Sequence, residues 1–255
     1  MNRRNLIIGA IIGIVSITFY SCKNADLELN NQNEVEDNAT SENESEWIYK
    51  IESRFITTIT KEKLDKAKSI ADLLPKKATE GIESLRDVRI VLLDQKKKTF
   101  AIGVNGKLNK DQLALLQTAN YSTNFCIEAF CDRENPEANK AEGQCFVYYV
   151  TIVPEQEAKF ENGNAVFIES AKEKLNQLTL NTEEEKIQPG KISFTITMNG
   201  EITNVSLTST SGYSLVDKEL MDIISNTDGK WHSAKNSKGE NIDQELVFFY
   251  GKEGC

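Results

Sequence analysis

Five cysteines and a single histidine bound the chemistry open to this chain of 255 residues. His232 is the only imidazole, and no nucleophile stands at a spacing that would pair with it, so it reads as a loop residue. No glycine-rich phosphate loop, Gly-x-Ser-x-Gly elbow or zinc-type Cys/His spacing is present. Cys126 and Cys145 offer two thiolates for a metal but no neighbouring histidine, which makes a metal site the weaker reading. Trp231 follows an amphipathic stretch and reads as a core anchor ahead of a stacking platform. Thirty basic residues stand against 39 acidic, a net charge of −9, and a phosphate backbone needs a basic face to bind. These residues predict no catalysis, no cofactor and no nucleic-acid partner.

The cysteine with the most informative neighbours is Cys22. Arg3 and Arg4 precede an apolar run from Leu6 to Tyr20, short for a span that needs about 20 apolar residues. The run ends in Phe19-Tyr20-Ser21-Cys22, which resembles a bacterial lipobox with Phe19 in place of the usual leucine. The resemblance implies a signal peptide over residues 1–21, cleavage before Cys22, and acyl chains on that cysteine. Two or more such chains give stable anchoring. Residues 23–46 then hold eight acids against Lys23 and no aromatic residue, a polar tether that lacks the apolar surface to fold. Fully extended, it reaches roughly 80 Å.

Export places the other four cysteines, Cys126, Cys131, Cys145 and Cys255, where disulfides persist, with three pairings open. Cys131 and Cys145 stand at the two ends of one polar loop, and a bridge there would contribute about 3 kcal/mol in the chain-entropy model. Cys126 faces away from Cys131 on a regular strand, so it needs another partner, and Cys255 is the one left.

The elements behind these residues divide in two. Residues 47–153 read as an α+β domain. Thr60 opens a helix with Leu64, Ala67, Ile70, Ala71 and Leu74 on one side, ended by Pro75. Asp87–Leu93 and Thr99–Val104 form a strand pair around a lysine-rich turn. Asn109 caps a helix with Gln112 at the capping-box position. Ser122–Cys131 and Gln144–Val153 are two further strands.

Residues 154–255 read as β-β-α-β. A hairpin from Lys191 to Ser209 turns at Asn199-Gly200, with positive φ expected at both positions. A two-residue loop would set Ile192 against Leu207, Phe194 against Val205 and Ile196 against Thr203 on one apolar face. Ser214 and Asp217 suggest a capping box before a helix presenting Val216, Leu220, Ile223 and Ile224. The last strand, Glu245–Tyr250, is apolar on both faces. That pattern fits a strand covered on both sides, or an edge that accepts a partner strand.

In order and spacing these residues resemble the TonB C-terminal domain. The likeness runs from the hairpin Gly190–Val205 through Ser211-Gly212-Tyr213, Asp217-Lys218-Glu219, Gly229-Lys230-Trp231 and Ala234-Lys235-Asn236 to the closing strand Glu240–Tyr250. A fainter lead-in covers Val153-Pro154-Glu155 with Ala158, Phe160 and Gly163. The resemblance implies a β-β-α-β core that binds short segments of outer-membrane transporters, often by strand addition. It places the partner-binding residues at Leu246, Val247, Phe248, Phe249 and Tyr250, on a strand expected to have one unpaired edge. The chain departs from the family's pattern where Leu178-Thr179-Leu180-Asn181 replaces the Tyr-Pro pair that usually precedes the first strand, and from its energy-transducing members in two further respects. Its leader resembles a lipobox, and it has only 4 prolines where a proline-rich spacer is usual. The expectation is a protein- or peptide-binding lipoprotein of the outer membrane, facing the periplasm or the cell surface. The alternative is an inner-membrane energy transducer that keeps Leu6–Tyr20 as its anchor.

Overall fold

The computed structural model describes residues 47–93, 99–133, 143–176, 188–227 and 229–252. Cys22, where acylation is expected, the expected tether over residues 23–46, and Cys255 lie outside the described residues. The chain is α+β, with two antiparallel-rich sheets, each carrying its own apolar core.

The first sheet is built from β2 (Thr58–Thr60), β3 (Ile82–Leu92), β4 (Thr99–Gly103), β5 (Asn124–Arg133) and β6 (Gly143–Val153), in the order β2-β6-β5-β3-β4. Only β2 and β6 run parallel. Alternation sends Phe125, Ile127, Ala129 and Cys131 of β5 into the core, against Ile90 and Leu92 of β3. The helical stretch after Thr60 is three short helices instead of one: α1 (Lys61–Lys66), α2 (Ile70–Leu73) and α3 (Lys76–Thr79). Ala67 and Leu74 are extended, and Ser69 bridges to Lys107 and boxes Asp72, so a second cap restarts the helix where periodicity alone would continue it. The break still buries Leu64, Ala67, Ile70 and Leu74.

Helix α4 (Lys110–Gln117) starts at the expected capping box. The Asn109 carboxamide accepts from Gln112 N–H at 2.9 Å, and Gln112 Oε1 accepts from Asn109 N–H at 3.1 Å. Gln112 is fully buried, and its Nε2 donates to the Val88 carbonyl at 3.1 Å, which pins the helix to β3.

The second sheet contains β1 (Trp47–Glu52), β8 (Gly190–Ile196), β9 (Ile202–Ser209) and β13 (Gln244–Lys252), in the order β1-β13-β8-β9 and antiparallel throughout. Helices α5 (Asn164–Asn176) and α6 (Ser214–Ser225) pack on it. Short ribbons join β7 (Lys159–Phe160) to β10 (Trp231–His232), and β11 (Ala234–Lys235) to β12 (Asn241–Ile242). The expected division at residue 153 therefore needs a correction. Residues 47–52 precede the first sheet in sequence but belong to the second.

The β8–β9 register differs from expectation for a reason visible at its turn. Gly200 alone has positive φ (80°), and Thr197 faces Glu201 across a three-residue loop. Ile196 therefore pairs with Ile202, and a bulge at Asn204 (φ 54°) restores the expected pairing of Ile192 with Leu207. The bulge turns both Ile202 and Val205 toward the core, while Leu207 is left 40% exposed. A side chain at Gly200 would also collide with the Trp231 carbonyl, its Cβ only 2.3 Å away, so the loop tip lies hard against β10.

Replacing Gln112 with Ala removes the reciprocal half of the α4 capping box, leaving Asn109 N–H without its acceptor, and deprives the Val88 carbonyl of its donor. We expect a loss of about 1–3 kcal/mol in urea unfolding, with little change in slope. An unchanged midpoint would mean that the buried amide holds nothing in place.

Candidate functional site

Glu245–Tyr250, the segment singled out in the sequence, lies in the interior of the second sheet. β13 pairs with β8 along one side (Phe248 opposite Ile192) and with β1 along the other (Tyr250 opposite Tyr49, Phe248 opposite Ile51). The expected free edge at Leu246, Val247, Phe248, Phe249 and Tyr250 is thus corrected: β1 covers it. The burial explains why both faces are apolar. Leu246, Phe248 and Tyr250 point into the helix-covered core, and Val247 on the opposite face is also buried.

The two flanking strands are not equivalent. Five of seven β8 residues are buried, whereas in β1 Ile48, Tyr49 and Ile51 are half-buried and Lys50 and Glu52 exposed. Tyr49 meets Phe248 edge-on at 6.2 Å, and Lys172 of α5 lies over its ring at 5.4 Å. Beside the C-terminal end of β1 opens a hollow of about 350 Å³, lined among others by Ile51, Ser53, Phe55, Leu246 and Asn164. Just beyond it the chain is fastened again. Ser53 is buried, Phe55 N–H donates to Thr151 Oγ1 at 3.1 Å, and the Phe55 ring packs on Tyr149 at 5.1 Å.

A buried polar network fixes the other end of β13. Asp217, near the start of α6, is 4% exposed and accepts from Tyr250 Oη at 2.8 Å. It also accepts from Ser211 N–H at 3.0 Å and from the Ser211 and Thr210 hydroxyls at 2.5 Å. Burial opposes ionisation of this carboxyl, but the bonds from Ser211, Thr210 and Tyr250 outweigh it and hold its pKa below the ordinary value. Burial, then the Asp217 carboxylate, push the Tyr250 phenol well above its ordinary range. The Tyr250 ring reaches Asp217 by crossing Gly190, where a Cβ would lie 2.3 Å from it. The helix start therefore differs from the expected Ser214 box: Tyr213 occupies the N-cap, and Asp217 reaches back to residues 210 and 211. Asp217 Oδ1 takes three protein donors and Oδ2 a fourth, which suits a structural clamp.

Trp231 sits in the core as expected, 5% exposed, with Phe160, Phe167 and Phe194 edge-on at 5.5 to 5.7 Å. His232 is exposed beside it. The expected Cys131–Cys145 bridge requires correction. Register sets Cys131 opposite Gln144 and Cys145 opposite Phe130, so positions 131 and 145 fall on opposite faces of the sheet and cannot bridge. Cys131 is a buried free thiol in the first core, and no disulfide is seen among the described residues. Cys126 is buried on the other face, as the alternation from Cys131 implies, and its proposed partner Cys255 lies outside the described residues. Among the described residues no group of three His, Cys, Asp or Glu side chains could hold a metal, and no helix is long and apolar enough to cross a membrane.

Comparison with family models, with curated proteins and with solved structures finds no match.

The Asp217 clamp has a pH signature. A carboxyl held below its unfolded value of about 3.9 stabilises the fold fully above that pH, and the contribution is lost as pH falls through the lower folded value. Tyr250→Phe should cost about 1.5–3 kcal/mol at pH 7, because it deletes a bond to a charged group. Asp217→Asn should be most destabilising near neutrality, and its deficit should begin to shrink as pH falls below about 3.9. Urea titrations from pH 3 to 7 measure both, and an Asp217→Asn deficit independent of pH would contradict the assignment.

Proposed function

We propose that this protein is an outer-membrane lipoprotein, anchored through Cys22, whose C-terminal module captures an extended segment of a partner protein and performs no catalysis. The module is read as TonB C-terminal-like, and segments of outer-membrane transporters are its first candidate partners. Support for the fold reading comes from chain order: hairpin β8–β9, helix α6 and closing strand β13, with β13 laid beside β8 on the side away from β9.

One observation carries the binding role. The row of β13 opposite β8 accepts a six-residue antiparallel strand, β1, supplied by a distant part of the same chain. A sheet that takes an added strand there offers main-chain hydrogen bonds with little sequence demand, the physical basis of strand augmentation. The acidic tether, roughly 80 Å long when extended, gives the module reach from an anchoring membrane.

Mass spectrometry of the native N-terminus tests the anchoring. The lipoprotein reading predicts a mature chain that starts at Cys22 and carries the mass of its acyl chains. An intact Met1 with unmodified Cys22 would overturn it and favour an inner-membrane anchor.

A further inference from the structure

We infer that β1 is an exchangeable strand: it occupies the acceptor row of β13 in the resting protein and yields it to an extended partner segment. The inference rests on the strand-binding reading above and adds how access to that row is controlled.

Four features bear on how firmly β1 is held in its sheet. None of its residues from Ile48 to Glu52 is buried, and of them only Tyr49 and Ile51 pack partly against the core; the other edge strand, β9, is as exposed but is tied to β8 by its three-residue loop. The hollow beside Ile51 and Ser53 leaves that end short of the close packing that holds interior strands. On its N-terminal side residues 23–46 are mostly polar and acidic in sequence. On its C-terminal side Phe55 fastens the chain to the first sheet, so β1 can leave without drawing β2 away.

Removal of β1 opens one row of N–H and C=O groups on β13, while Leu246, Phe248 and Tyr250 keep their contacts with the core and Tyr250 keeps Asp217. The vacated row states what replaces it. The incoming segment is extended, runs antiparallel to β13, and carries large apolar side chains at the alternate places of Tyr49 and Ile51, with a polar residue at that of Lys50. It exchanges like hydrogen bonds for like, so the competition turns on concentration. A tethered strand competes at an effective concentration on the order of 1 mM, and a partner's apparent affinity falls in proportion to the fraction of open sites.

The test uses the full chain. In hydrogen exchange, β13 amides that face β1 should exchange faster than those that face β8. A disulfide between the opposed pair Lys50→Cys and Phe249→Cys, verified by peptide mapping, should slow the first set at least tenfold and leave β8 and β9 unchanged. A release variant, Tyr49→Asp with Ile51→Asp, should keep protection in β8 and β9. It should bind a synthetic peptide of residues 46–53 at least tenfold more tightly than the wild type, and the cross-linked form should bind none. Equal protection of both β13 rows, unchanged by the cross-link, would overturn the inference, as would loss of protection throughout β8 and β9 in the release variant. Fast exchange at the β1-facing row with no peptide binding to the release variant would leave strand exchange standing and remove the binding reading instead.

Discussion

A strand that is apolar on both faces needs hydrogen-bonding partners on both edges, and β13 places that demand at the centre of the second sheet. Leu246, Phe248 and Tyr250 are buried against the helices, and Val247 is buried on the reverse. On such a strand each row of backbone groups is a template for a further strand. β8 serves one row from the neighbouring hairpin. The other is served by the first described residues of the chain, almost 200 positions earlier in sequence. The assignment of residues 47–52 to the second sheet, the covered edge, and the route of the chain through Ser53 and Phe55 into the first sheet all follow from that pairing.

The same strand is held lengthwise by the clamp at Tyr250. Its hydroxyl meets the Asp217 carboxylate that organises residues 210 and 211 and the first turn of α6, and Gly190 leaves room for the ring to pass. One buried anion thus joins the closing strand, the helix and the turn before it. Four protein donors favour its ionised form in a site where an unpartnered charge would be costly. These contacts lie on the β8 side of β13 and do not involve β1, which is why the two flanking strands can differ so much in how firmly they are held.

Much of this architecture is legible in the sequence where local rules decide. The Asn109–Gln112 box, the buried stripe of α6 and the core position of Trp231 follow from spacing alone. The hairpin is legible in its middle, at Ile192 and Leu207, and shifts near the turn because a loop with one positive φ has three residues instead of two. Asp217 is visible as a capping residue, yet its true partners come from a turn whose path no periodicity specifies. The helix after Thr60 breaks because Ser69 and Asp72 offer a second cap that competes with continuation. Cys131 and Cys145 bracket a loop but differ in parity once the strands are in register. The pairing of β1 with β13 is the least legible feature. Residues 47–52 alternate like any short strand, and nothing local says which of several edges they join.

Nuclear Overhauser contacts across β1 and β13 in the intact chain test the central claim most directly. Opposed residues of a non-hydrogen-bonded antiparallel pair bring their Hα atoms into close contact, and the register allows Tyr49 with Tyr250 or Lys50 with Phe249. The account predicts a strong Hα–Hα contact at one of these pairs, alongside those between β13 and β8. A complete set of β13–β8 contacts with none from residues 47–52 would show β13 to be an open edge and contradict the account.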